Sequence, residues 1–397
     1  MKAKIKCSNA KGVIKAPPSK SYAHRYLISG ALSCGSIVSN ISFSNDINAT
    51  LSCLESLGFI FDKKEDKVIF NGYKKQNKVL NCLESGSTLR FFIPVALVLN
   101  EEATLIGSKK LFSRGLEIYE KLFLEQDIFY KLEDDSIFIK GRLSSGKYVL
   151  SADKSSQYIS GLLFALPLLD GNSEIVLEGN IESASYIDLT IDTLKTFGVV
   201  INRDKNHLLI DGNQKYISQN VVVECDYSNA AFLEAFNLIG GEVEVKGLNQ
   251  DSLQGDKSYL SYYPLLKETH PTIDISNSID LGPILFTLSS MLNGATFKGI
   301  NRLRIKESDR VKDLMDILEK FGVSYLLKDN EIEIYHNNLH KVNEIIDLPN
   351  DHRIVMAITV LLSRLSGEIN GVEAINKSYP NFFSDIKKLG IEVDIYA

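Results

Sequence analysis

The stretch Leu303-Arg304-Ile305-Lys306-Glu307-Ser308-Asp309-Arg310 crowds two arginines, a lysine and two acids into eight residues. It follows a strand-like run at 295–300. It leads into 311–321, where Leu314, Ile317, Leu318 and Phe321 recur at helical spacing. A strand-to-helix junction of this kind suits a small anion, because a helix N-terminus presents unpaired N–H groups and partial positive charge. The spacing predicts that Lys306 and Arg310, four apart, share one helical face. Glu307, in the same electropositive spot, is placed to move protons.

Other helix starts carry the same chemistry. Pro17-Pro18-Ser19-Lys20-Ser21 precedes an apolar helix with Arg25 one turn in; Ser19 is a natural cap, and the prolines stiffen the entry. Glu84-Ser85-Gly86-Ser87-Thr88-Leu89-Arg90 leads into the apolar run 91–99, and Gly86 lets a ligand approach the backbone. Ser155-Ser156-Gln157 precedes 158–169, and Asp351-His352-Arg353 precedes 354–362. Arg114 follows the strand-like 104–106, and Lys377-Ser378-Tyr379-Pro380 opens what reads as the last helix. Several helix N-termini bearing Lys, Arg, Ser or Gly point to a polyanionic substrate.

Composition narrows the field. With 397 residues and 44% hydrophobic content, the chain can bury one or two large cores. A net charge of -6 argues against a nucleic-acid-binding surface. Cys7, Cys34, Cys53, Cys82 and Cys225 are scattered, and no CxxC occurs, so neither a disulfide framework nor a zinc site is indicated. His336 and His340 lie in a polar, loop-like segment rather than a metal site. Without an apolar leader or a bilayer-length apolar stretch, the expectation is a soluble cytoplasmic protein that does not engage a membrane.

One pattern repeats along the chain: apolar helix end, turn residue, strand, junction, amphipathic helix, glycine, strand. Its strands start near Ser36, Ala103, Ser173, Glu242, Ala295 and Glu368. Gly58, Gly198, Gly322 and Gly390 punctuate the four clearest copies. The spacing suits a βαβαββ-sized unit and is too long for a thin solenoid.

These residues identify a family. The chain resembles the 5-enolpyruvylshikimate-3-phosphate (EPSP) synthases from Gly12 to its end. The anchors are the five junctions Pro17–Arg25, Ser85–Arg90, 155–157, 303–310 and 351–353, together with Ser183…Tyr186-Ile187-Asp188, Gln254-Gly255-Asp256 and Lys377…Pro380. The resemblance implies an α/β fold, the two-domain inverted αβ-barrel of the enolpyruvyl transferases, with six βαβαββ repeats, three per domain. It implies a first domain of residues 1–18 plus 227–397 and a second of 19–226, with the active site in the cleft between them. It implies transfer of the enolpyruvyl group of phosphoenolpyruvate to the 5-hydroxyl of shikimate-3-phosphate, without metal or organic cofactor, by a monomer.

The roles carry over residue by residue. Lys20, Ser21, Arg25, Ser155, Ser156, Gln157, Ser183, Tyr186, Asp280 and Lys306 match positions that hold shikimate-3-phosphate. Lys20, Gly86, Arg114, Gln157, Arg310, Arg353 and Lys377 match positions around phosphoenolpyruvate. Asp280 matches the carboxylate assigned to the hydroxyl proton, and Glu307 the acid serving C3, with Lys20 and Lys377 assisting. Gly86 matches the glycine that leaves room for the inhibitor glyphosate. Glu84, Ser87, Phe91 and Arg302 depart from the commoner pattern and bear on ligand contacts and inhibitor response. The related UDP-N-acetylglucosamine enolpyruvyl transferases would place a reactive cysteine near Arg114; residues 111–120 contain none.

Overall fold

A computed structural model describes residues 1–152, 154–179 and 181–397. The chain divides into two units, Met1–Pro17 with Cys225–Ala397, and Pro18–Glu224. Each unit has its own apolar core. Among the described residues no helix is long and apolar enough to cross a membrane.

Among the described residues three sheets build each unit, and one topology recurs. In Pro18–Glu224, strand Leu80–Asn81 leads into helix Gly86–Asn100 and then pairs in parallel with strand Glu102–Ile106. A second helical segment follows, and the hairpin Phe129–Leu132 and Ser136–Lys140 closes the sheet through an antiparallel pairing. Strands Lys147–Ser151, Ser173–Glu178, Ile201–Asp204 and His207–Ile210 repeat this order around helices Ser156–Ala165 and Ala184–Thr196. The third sheet is completed from the unit's far end, where Asn220–Val222 pairs in parallel with Ile37–Ser39.

Unit Met1–Pro17 with Cys225–Ala397 uses the same plan. Its sheets are Thr272–Asp274, Ala295–Lys298, Glu331–Ile334, Tyr325–Leu327, and Ile345–Asp347, Gly367–Asn370, Lys2–Ile5, Val393–Tyr396. The copy around Glu242 is abbreviated. Its sheet has two strands, Lys11–Lys15 and Glu242–Lys246, and helix Tyr259–Glu268 runs on to the next copy without a hairpin.

The first helix of each copy is apolar nearly all round and is therefore buried. Helices Lys20–Leu32, Gly86–Asn100 and Ser156–Ala165 fill one unit; Tyr227–Leu238, Gly282–Met291 and His352–Leu365 fill the other. In helices Gly282–Met291 and His352–Leu365 interior hydroxyls bond back to their own turns, as Thr287 Oγ1 does to Pro283 O (2.9 Å) and Thr359 Oγ1 to Val355 O (2.8 Å). In four copies the second helix is followed by a left-handed glycine, Gly58, Gly198, Gly322 or Gly390. Helix Glu117–Glu125 is instead followed by Gln126 and Asp127, and helix Tyr259–Glu268 by Thr269. At Gly58 (φ 107°) a Cβ would lie 2.0 Å from Lys74 O, so no side chain fits.

Candidate active site

In unit Pro18–Glu224 most of the candidate side chains sit at the starts of the three buried helices, while Ser183 and Tyr186 belong to the start of helix Ala184–Thr196 and Arg114 lies between helices. Each start is fixed locally by a serine cap: Ser19 accepts from Tyr22 N–H, Ser85 from Thr88 N–H, and Ser155 from Gln157 N–H. Helix Gly86–Asn100 starts a turn earlier than its apolar run suggests, which puts Gly86 at its first position. Lys20 Nζ pairs with Asp46 Oδ2 at 2.7 Å, and both side chains are largely buried. Arg25 is 3% exposed and heavily bonded. Its Nε donates to Thr190 Oγ1 (2.8 Å) and its Nη1 to Ser21 O (2.8 Å); its Nη2 donates to Tyr186 O (3.1 Å) and Ser160 Oγ (3.3 Å). The guanidinium also lies over the Phe91 ring, 5.2 Å from its centroid. Burial lowers the Arg25 pKa to about 10, which still leaves it charged at neutral pH.

A second group forms around Gly86. Arg90 Nη1 donates to Gln157 Oε1 (3.2 Å), and Gln157 Nε2 donates to Ser87 Oγ (3.1 Å). Arg90 Nη2 donates to Gly115 O (3.1 Å). A Cβ on Gly86 would lie 2.8 Å from Arg114 Nη1 and 3.0 Å from Arg90 Nη1, so both guanidinium groups press on this turn. Ser183 takes a left-handed φ of 56° just before helix Ala184–Thr196, a costly conformation for a serine. Sequence reasoning did not give Arg90 or Asp46 a role. Arg90 stood in the motif as an anchor only, and Asp46 was not singled out.

In the other unit the junction 303–310 has a different shape from the one its spacing predicts. Lys306 caps the end of a 3-10 helix, Asn301–Ile305, and the α-helix begins only at Arg310. Asp309 is its cap, accepting from Lys312 N–H at 3.0 Å. Lys306 and Arg310 therefore do not share a helical face. They meet through Asp280 instead: Lys306 Nζ lies 3.3 Å and Arg310 Nη1 2.7 Å from its Oδ1. Lys377 likewise ends the 3-10 helix Val372–Lys377 rather than opening an α-helix. Pro380 interrupts the chain before the last helix, Phe382–Lys388.

Arg310 is the hub of this cluster and is 1% exposed. Its Nε and Nη2 donate to the two oxygens of Asp351 (2.7 and 3.2 Å), its Nη1 to Asp280 and its Nη2 to Glu307 Oε2 (both 2.7 Å). These bonds use four of the five N–H groups of a guanidinium. Asp351 also caps helix His352–Leu365 and accepts from Ser308 Oγ (3.1 Å). Arg353 Nη2 lies 3.3 Å from Asp280 Oδ2, and its Nη1 donates to Ser228 Oγ (2.6 Å).

These positions set the electrostatics. Burial would raise the Asp280 pKa, but Arg353, Lys306 and Arg310 together hold it well below the usual carboxylate range. Burial lowers Lys306 to about 8, with Arg302 and Arg310 adding to the drop and Asp280 opposing it. Asp256, buried and close to Asp280, is pushed up to about 6 by burial first and by the Asp280 charge second. The Gln254-Gly255-Asp256 motif gave no hint of this, because the neighbours that perturb Asp256 come from other elements.

The fold is that of the enolpyruvyl transferases. NikO, an enolpyruvyl transferase from Streptomyces tendae, superposes with a TM-score of 0.80 over 99% of this chain and 98% of its own, at 11% identity. EPSP synthase from Acinetobacter baumannii gives a TM-score of 0.80 over 99% of this chain and 100% of its own, at 22% identity. The EPSP synthase family (3-phosphoshikimate 1-carboxyvinyltransferase) matches residues 5–264 and 261–386. A 3-phosphoshikimate 1-carboxyvinyltransferase of Clostridium kluyveri is 39% identical over 99% of this chain and 98% of its own length. One of Clostridium acetobutylicum is 40% identical over 96% of each. The chain belongs to the EPSP synthase family.

Proposed function

We infer that this chain transfers the enolpyruvyl group of phosphoenolpyruvate to the 5-hydroxyl of shikimate-3-phosphate, the shikimate-pathway step that leads toward chorismate and the aromatic amino acids. The observation that carries this reading is the 39% identity, over nearly the whole of both chains, to a relative named for this activity. It works as a cytoplasmic monomer.

The reaction runs by addition and elimination. The 5-hydroxyl oxygen bonds to C2 of phosphoenolpyruvate as its proton leaves, and C3 gains a proton, which makes C2 tetrahedral. The C2–O bond to phosphate then breaks, C3 gives up a proton, and the double bond reforms. Asp280 takes the hydroxyl proton, and Glu307 serves C3 with Lys20 and Lys377 assisting. Ser21, Arg25, Ser155, Ser156, Gln157, Ser183, Tyr186 and Lys306 hold shikimate-3-phosphate. Gly86, Arg114, Arg353 and the remaining Nη1 hydrogen of Arg310 receive phosphoenolpyruvate.

The ion cluster explains how Asp280 becomes a base when one is required. With three cations close by, its affinity for a proton is low. Substrate phosphate or carboxylate competes for Lys306 and Arg353, while Arg310 stays fixed by Asp351 and Glu307. Each cation drawn toward the substrate raises the proton affinity of Asp280. The test of the reading is phosphate release from phosphoenolpyruvate, run with shikimate-3-phosphate and separately with UDP-N-acetylglucosamine. Release with the first alone is expected; release only with the second overturns the assignment.

A further inference from the structure

His24 has no part in the chemistry above, yet it is 1% exposed and lies one turn after Lys20. A line of short hydrogen bonds starts from it. His24 Nδ1 is 2.7 Å from Thr50 Oγ1, and Thr50 Oγ1 is 2.8 Å from Thr88 Oγ1. Thr88 Oγ1 donates to Ser85 Oγ at 2.7 Å. All four side chains are buried. The line joins three helices, Lys20–Leu32, Asn45–Leu57 and Gly86–Asn100, and ends on the cap that starts the third.

Hydrogen counting gives the line one direction. A hydroxyl has a single hydrogen to donate. Thr88 gives its hydrogen to Ser85, so it accepts from Thr50. Thr50 has then used its own hydrogen and accepts from His24. The hydrogen between them therefore sits on Nδ1, and Nε2 of the neutral ring is bare. Among the described residues Nε2 has no hydrogen-bond partner, and the ring stands edge-on to Phe91 with centroids 6.5 Å apart. Burial pushes the His24 pKa down to about 3, in keeping with a ring that stays neutral.

We propose that His24, as a neutral Nδ1–H tautomer, is a positioning residue for the Gly86 turn, acting through Thr50, Thr88 and Ser85. The N–H groups of Gly86 and Ser87 have no acceptor inside their helix, so their direction is set by how the cap is held. The inference rests on the enolpyruvyl reading, in which this turn receives phosphoenolpyruvate. Lys20 is held separately, by Asp46, so the shikimate-3-phosphate groups on helix Lys20–Leu32 are not expected to follow the line.

The experiment uses the full chain and three variants. His24→Leu and Thr50→Val each break the line. His24→Asn keeps an N–H donor close to where Nδ1 stands. For the two breaking variants the KM for phosphoenolpyruvate should rise roughly five- to ten-fold, the scale of one buried hydrogen bond, with the KM for shikimate-3-phosphate changed by less than about two-fold. His24→Asn should return most of the loss. Equal rises in both KM values, or no rescue by Asn, would mean that His24 only fills space. Thr50→Val is nearly isosteric and carries the test if His24→Leu does not fold. Nitrogen-15 NMR of histidine-labelled wild-type protein reads the tautomer without any assay of activity, and a hydrogen on Nε2 would overturn the proposal. Wild-type protein that releases no phosphate would instead overturn the enolpyruvyl reading.

Discussion

Replacing Asp280 by Asn should change Lys306 as much as it changes catalysis. Lys306 Nζ lies 3.3 Å from Asp280 Oδ1. Two unit charges at that distance interact by ~5 kcal/mol at an effective dielectric constant of about 20. Water and nearby dipoles take up part of the lost field, so the drop in the lysine's pKa should be about 1–3, the usual range for one close opposite charge. From its value of about 8, Lys306 in Asp280→Asn should titrate at roughly 5–7 and be largely neutral at pH 8. Arg302 and Arg310, which already lower it, would then act unopposed by Asp280. Carbon-13 NMR of lysines labelled at Cε, with Lys306→Met to assign the signal, measures this directly. Turnover should also fall by about 10²–10⁴, the size of a general-base contribution. A Lys306 that still titrates at 8 or above in the variant would refute the electrostatic account of the cluster, whatever happens to turnover.

Other outcomes follow from the same geometry. Glu307→Gln should cut turnover by about 10²–10⁴ with smaller effects on binding, and near-wild-type turnover would remove Glu307 from the proton chemistry. Gly86→Ala meets the flexible ends of Arg114 and Arg90 rather than backbone, so the protein should fold. The variant should weaken glyphosate beyond phosphoenolpyruvate by ~1–3 kcal/mol, read as the ratio of inhibition constant to KM; an unchanged ratio would leave displacement of Arg114 as its whole effect. Asp256 keeps its proton to about pH 6 in the folded state but only to about pH 4 when unfolded, so between those values the unfolded chain binds fewer protons. Stability should therefore fall as pH rises through that window, by at most ~3 kcal/mol, and urea unfolding of Asp256→Asn should lack this slope.

What the sequence determined by itself is what depends on neighbours along the chain. The caps Ser19, Ser85, Ser155 and Asp351 each bond an N–H two or three residues on, so local spacing is enough to find them. The repeat was legible for a related reason. The glycines that follow the second helix in four copies, Gly58, Gly198, Gly322 and Gly390, take a left-handed angle, and a Cβ at Gly58 would collide with backbone. The motif residues were legible too, and with them the family, because each motif lies within a few positions. What only the tertiary structure decided is which charges meet. Arg310 reaches Asp280 and Asp351, 30 and 41 residues away, and those partners replace the helical face that its spacing to Lys306 predicts. Lys20 finds Asp46, and the space beside Gly86 is filled by Arg114. Burial and charge then move Asp256, Asp280 and Lys306 away from their ordinary pKa values. Desolvation and Coulomb interaction depend on distance in space, and no spacing in the sequence encodes that distance.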